Sequence, residues 1–88
     1  MSNSEHLDAV GARIGSTIIE FCFRRCGQQF HADDLREYVT RTAGQVAPGS
    51  ADRVLRDLRQ RGAIDYIVLN RAASLYLVSY VDYAYDLL

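Results

Sequence analysis

Apolar residues fall at Leu7, Val10, Ile14, Ile18, Phe21 and Cys22, spaced by three and four apart from the last pair. That spacing puts one stripe along a helix over residues 5 to 26, with Ser4 as the expected cap and Gly27 as the stop. Gly11 and Gly15 weaken the helix locally or let another element approach closely. Gln28 to His31 reads as a short extended segment anchored by Phe30. A second helix follows from about Ala32 to Thr42, its buried stripe being Leu35, Tyr38 and Val39. Asp33 and Asp34 lie in its first turn, where the helix dipole favours them, and Gly44 ends it. The connection from Ala43 to Gly49 carries Val46 as its core plug.

Pro48-Gly49-Ser50 announces a third helix with Ser50 as the expected N-cap and Gly62 as the residue just past its end. Ala51, Val54, Leu55 and Leu58 point one way. At about 100° per residue, Arg53, Arg56 and Gln60 fall on the opposite face, flanked by Asp52 and Arg59. The β-rich runs Ile64–Leu69 and Ser74–Ser79 are separated by Asn70-Arg71-Ala72-Ala73 and predict a hairpin with Arg71 at its tip. Ile64, Tyr66 and Val68 alternate with Asp65, Ile67 and Leu69, so one face covers a core while the other is still rather apolar.

With 88 residues, the chain is expected to form a single domain over 1–88, a core at 5–79 and an apolar, tyrosine-rich tail at 80–88. No apolar run approaches a membrane span, and the first residues lack the basic and apolar regions of a signal peptide. The expectation is a cytoplasmic protein. Cys22 and Cys26 lie four apart on one helix face, and read as two small thiols, buried or half-buried, in a reducing compartment. His31 is placed to cap or pack, and His6 to meet solvent. No glycine-rich phosphate loop, metal-ligand cluster or carboxylate pair in a cleft can be assembled. The chain is therefore read as a non-enzyme with no cofactor and no metal.

The net charge is −1, from ten arginines, no lysine and eleven acidic residues. That balance does not mark a non-specific polyanion binder. The distribution is uneven, because residues 53 to 71 hold five arginines against Asp57 and Asp65. Every cation is a fork-shaped donor suited to phosphate or guanine.

The order helix, short strand, helix, helix, strand, hairpin turn, strand resembles the winged helix-turn-helix superfamily over residues 5 to 79. The run from Ser50 to Asp65 is similar to the recognition-helix signature of small bacterial and phage regulators, with a serine cap, an arginine three residues on, paired aliphatics and a glycine. An aliphatic residue then opens the wing. The resemblance implies an α+β winged helix: three helices, a C-terminal hairpin wing and a short third strand. It implies that Ser50, Arg53 and Arg56 face the DNA groove and that Arg71 lies at the wing tip. Arg53 and Arg56 suit guanine edges, and Gln60 suits adenine or a phosphate, with Arg59 beside them. The plainer reading of the same helix is a solvated face with Asp52–Arg56 and Asp57–Arg61 as ion pairs.

The expected function is sequence-specific binding of duplex DNA by a transcriptional regulator. Pairing on a palindromic site makes it a homodimer, through the first helix and Tyr80, Val81, Tyr83, Leu87 and Leu88. The alternative is a protein-interaction module on the same fold, a phage-encoded inhibitor or an assembly subunit, without DNA binding. It is motivated by the acidic balance, the long 43–49 connection and the tyrosines gathered near the end, Tyr66, Tyr76, Tyr80, Tyr83 and Tyr85.

Overall fold

A computed structural model describes the backbone of residues 3–47 and 49–82, and side chains from residue 13 onward within those ranges. The elements are α1 (Asn3–Arg24), β1 (Gln29–His31), α2 (Ala32–Ala43), α3 (Ser50–Gln60), β2 (Ile64–Asn70) and β3 (Leu75–Val81). The class is α+β: three helices beside a three-stranded antiparallel sheet of order β1-β3-β2. This arrangement is compatible with a winged-helix layout.

The 3.6-residue stripe of α1 is what the core is built on. Ile14, Ile18, Phe21 and Cys22 are buried, and Phe21 meets Phe30 of β1 edge-on at 5.2 Å. Ser4, the expected cap, is already helical because α1 starts by Asn3, and of Leu7 and Val10 only the backbone is described. Gly15 faces Leu58 and Val54 of α3, but a Cβ there would sit 3.9 Å from Leu58, an ordinary contact. The approach of α1 to α3 is real and does not depend on glycine. Cys22 is buried and Cys26 is exposed rather than half-buried. Burial first, and then Cys26, push the Cys22 thiol up to about 12, with Arg25 acting the other way, so it stays protonated.

α2 starts on a reciprocal cap. The Asp33 N–H donates to His31 Nδ1 at 3.0 Å, and the His31 N–H donates to the Asp34 carboxylate at 3.1 Å. His31 thus caps, as its position suggested. Leu35 and Val39 are fully buried and Tyr38 is half-buried. Val46 packs partly buried against the core.

The cap of α3 lies one residue earlier than expected. Gly49, at φ 83°, is the N-cap and supplies no side-chain bond, while Ser50 is already helical. The left-handed glycine turns the chain into the helix, and Ser50 is thereby carried inward. The far end closes as expected: Gly62 has φ 82°, its N–H reaches the Arg59 carbonyl, and the Ala63 N–H reaches the Leu58 carbonyl. This double closure satisfies two terminal carbonyls and feeds the chain straight into β2.

The hairpin turn comprises residues 71–74. The Asn70 side chain accepts from the Ala73 N–H at 3.0 Å, and Ser74 takes a left-handed φ of 55°. Two register shifts interrupt the β2–β3 ladder, between Asp65 and Tyr66 and between Val68 and Asn70. The first has a large consequence. Val78 pairs with Tyr66 and Val81 with Ile64, so both valines face the core although they are three residues apart. β3 therefore runs through Val81, and the Asp82 N–H still binds the Ala63 carbonyl at 2.8 Å. The expected division between a 5–79 core and an 80–88 tail is corrected accordingly, since residues 80 and 81 belong to the sheet. No helix among the described residues is long and apolar enough to cross a membrane.

Candidate nucleic-acid interface

The buried side of α3, Ala51, Leu55 and Leu58, docks it on the core and fixes which residues face outward. Arg53, Arg56, Arg59 and Gln60 are exposed there, as the periodicity requires. Ser50 is not. It is only 7% exposed, so its hydroxyl cannot reach a groove, and its place among the DNA contacts is corrected. The cause is the earlier cap at Gly49, which rotates Ser50 onto the packed side.

The ion pairs decide which arginines remain available. Arg24 pairs with Glu20, Arg41 with Glu37, and Arg61 with Asp57, each at i,i+4. The expected Asp52–Arg56 pair is absent among the described residues, and its place is taken across helices. Arg36 of α2 donates from Nε to Asp52 Oδ1 at 3.2 Å and from Nη2 to Oδ2 at 2.6 Å, while its Nη1 holds Asp33 at 3.0 Å. The hydrogen bond to Asp52, then its charge, raise the Arg36 pKa further above its ordinary value. Nothing in the sequence advertises this clamp, because Arg36 and Asp52 are 16 residues apart.

Arg59 is also engaged. Its Nε donates to Asp65 Oδ1 at 3.0 Å, and its guanidinium lies 4.6 Å from the Tyr66 ring centre. It braces α3 against β2, its charge paired with Asp65. Arg25 lies over the Phe21 ring at 4.2 Å. Among the described residues, Arg13, Arg53, Arg56 and Arg71 take part in no such ion pair or ring contact. Three of those four lie on the outer face of α3 and at the hairpin tip.

α3 and the hairpin enclose a cleft of about 600 Å³. Arg56, Gln60 and Arg59 line it from the helix, Arg71 from the turn, and Tyr66, Val68 and Tyr76 from the strands. The structure thus brings Arg56, Gln60, Arg59 and Arg71 together around one concavity. Arg53 lies on the same exposed helix face without lining it. Guanidinium forks so placed can take phosphate oxygens or the paired acceptors of guanine.

The residues expected at a dimer contact separate. Tyr80 is 51% exposed on the outer side of the sheet, opposite Asp65, on the face that also exposes Ile67 and Leu69. Val81 is 4% exposed and belongs to the core, so it is withdrawn from the contact. Tyr83, Leu87 and Leu88 lie outside the described residues. Among the described residues, no group of three or more His, Cys, Asp or Glu side chains is placed to hold a metal ion.

No protein-family model matches this chain, and comparison with curated proteins and with solved structures found no match.

Proposed function

We propose that this chain is a winged-helix protein that binds duplex DNA sequence-specifically, with α3 in the major groove and the hairpin on the flanking backbone, and acts in transcriptional regulation. The observation that carries the proposal is the state of its arginines. Arg53 and Arg56 on α3 and Arg71 on the hairpin are exposed and outside the ion pairs that hold most other arginines. A bidentate arginine–base pair supplies about 1–3 kcal/mol of discrimination, which makes up for the weak non-specific attraction of a chain with net charge −1. Selection of bound sites from random duplexes at moderate salt is the test. Enrichment of a motif is expected, and recovery of unenriched sequence would sink the reading.

A second reading has its own support, the apolar outer face of the sheet. Ile67, Leu69 and Tyr80 are each about half exposed there, a surface suited to a protein partner. Capture of one stoichiometric protein together with no DNA affinity would replace the first reading with this one. Under the DNA reading we also propose a two-fold dimer on a palindromic site, through α1, Tyr80 and the segment 83–88. Truncation after Asp82, which spares the Val81 packing, should yield a folded monomer that binds an operator far more weakly. Sedimentation showing the full chain monomeric at tens of micromolar would remove the dimer.

A further inference from the structure

The cleft between α3 and the hairpin has chemistry beyond a flat contact with a DNA backbone. Its volume of about 600 Å³ lies within the roughly 300–1,000 Å³ of small-molecule sites. The floor is apolar and aromatic: Phe30, Leu35, Leu55, Tyr66, Val68 and Tyr76. Tyr76 is held from two sides, stacked on Phe30 at 5.4 Å and edge-on to Tyr66 at 5.5 Å, so the floor is formed before anything binds.

The charges at the rim are unbalanced in one direction. The lining contains a single acid, Asp52, and both of its oxygens are held by Arg36. Arg59 is answered by Asp65. Arg56 and Arg71 are in no ion pair among the described residues, and Gln60 stands with them. Two unanswered guanidinium groups over an aromatic floor complement a molecule with an anionic head and a flat apolar body.

We propose that this cleft is a binding site for a small aromatic anion, carrying one carboxylate or one phosphate. The head takes Arg56 and Arg71, and the ring covers Val68 and Tyr76. Binding of the anion stands independently of the DNA proposal. One consequence rests on that proposal: because Arg56 and Arg71 serve both ligands, the bound anion displaces DNA.

The test is a chemical-shift titration of the nitrogen-15-labelled full chain, reading backbone amides and arginine Nε–H groups. The probes are 2-naphthoate and phenyl phosphate. 2-Naphthamide supplies the ring without the charge, and inorganic phosphate the charge without the ring. Saturable shifts at Arg56, Arg71 and Tyr76 are expected with at least one anionic probe, and the tighter of the two identifies the head group. Both controls should bind at least tenfold more weakly. Arg56→Gln and Arg71→Gln should each weaken the tighter probe about tenfold or more, the loss of a charged hydrogen-bond partner. Both residues are exposed, and the same spectra check that the variants stay folded. Arg53→Gln, outside the cleft, should leave probe affinity unchanged while weakening DNA.

Absence of saturation by either anion below about 10 mM, an affinity too weak to act as a ligand site, overturns the proposal. So does equal binding of inorganic phosphate, which would reduce the cleft to a bare charge. Saturation by the probe without displacement of selected DNA supports the site and overturns the competition alone. Saturation by the probe when no duplex is ever enriched supports the site and removes the DNA reading.

Discussion

α2 and α3 differ by one residue in length, and both present arginines on an exposed face. On α2, Arg36 meets Asp33 at 3.0 Å and Arg41 meets Glu37 at 3.8 Å, each within one turn. On α3 the same local opportunity exists, since Asp52 precedes Arg56 by four residues, yet Arg36 reaches over from α2 and takes that carboxylate. The cations of α2 are answered; on α3, Arg59 is answered by Asp65, and Arg56 is left open because α2's own side chain holds its nearest carboxylate. Net charge therefore describes this surface poorly. What matters is which carboxylates the fold has already committed, and that is decided by tertiary contacts.

The largest effect is expected at the open arginines of α3. Arg53→Ala with Arg56→Ala should abolish retention on a selected duplex, each change removing about 1–3 kcal/mol of base discrimination. Thermal unfolding should barely move, because both side chains are exposed and outside ion pairs. A double variant that binds as tightly as the parent, in a filter or mobility assay, would reduce the α3 face to a solvated surface.

Much of the fold is legible in the sequence, and what is not has identifiable causes. The stripes of α1, α2 and α3, the Gly62 stop and the hairpin tip depend on local periodicity and turn chemistry, so they were legible. Ser50 was misplaced because Gly49 could turn the chain one residue sooner. Val81 falls in an apolar tail when the strand is taken to stop at Ser79, whereas β3 continues through Val81 and a register shift turns that side chain inward. The Arg36–Asp52 clamp was invisible because it joins two helices through side chains far apart in the chain. The cleft floor was hidden for the same reason: Phe30 and Tyr76 meet only through the pairing of β1 with β3.

Arg71 tests the hairpin's share. If it holds backbone phosphate, Arg71→Ala should weaken binding by about 1 kcal/mol on selected and unselected duplexes alike, and reduce the salt slope by about 1. A loss confined to one base position in repeated selections would instead make it a base contact.

The two helices also differ in how they start, which bears on stability. α2 begins on the His31–Asp34 reciprocal cap, and α3 on a glycine at φ 83° with no side-chain bond. His31→Ala should cost about 1 kcal/mol in urea unfolding by removing an acceptor for the Asp33 N–H. Gly49→Ala should cost a similar amount, about 1 kcal/mol, for the opposite reason: no atom lies within 4 Å of the added Cβ, so the penalty is the left-handed backbone. A neutral Gly49→Ala would mean that α3 can start on another residue, and that the placement of Ser50 is adjustable.

The smallest effect is the most discriminating. Arg36→Ala frees Asp52 for Arg56 at i,i+4, a pair worth only about 0.2–0.5 kcal/mol, which must be broken again when DNA binds. DNA affinity should fall by a few tenths of a kcal/mol at low salt and recover as salt screens the pair. Loss of positive charge alone would do something similar, so Arg41→Ala is the matched control: it removes one arginine from the same helix without releasing Asp52. Asp52→Asn removes one negative charge in either background, so the clamp is read from the difference: recovery should be larger on Arg36→Ala, where it also removes the competitor for Arg56, than on Arg41→Ala. If Arg36→Ala and Arg41→Ala weaken DNA equally and Asp52→Asn acts alike on both, the clamp has no part in keeping Arg56 open. The availability of that arginine would then be a property of α3 alone.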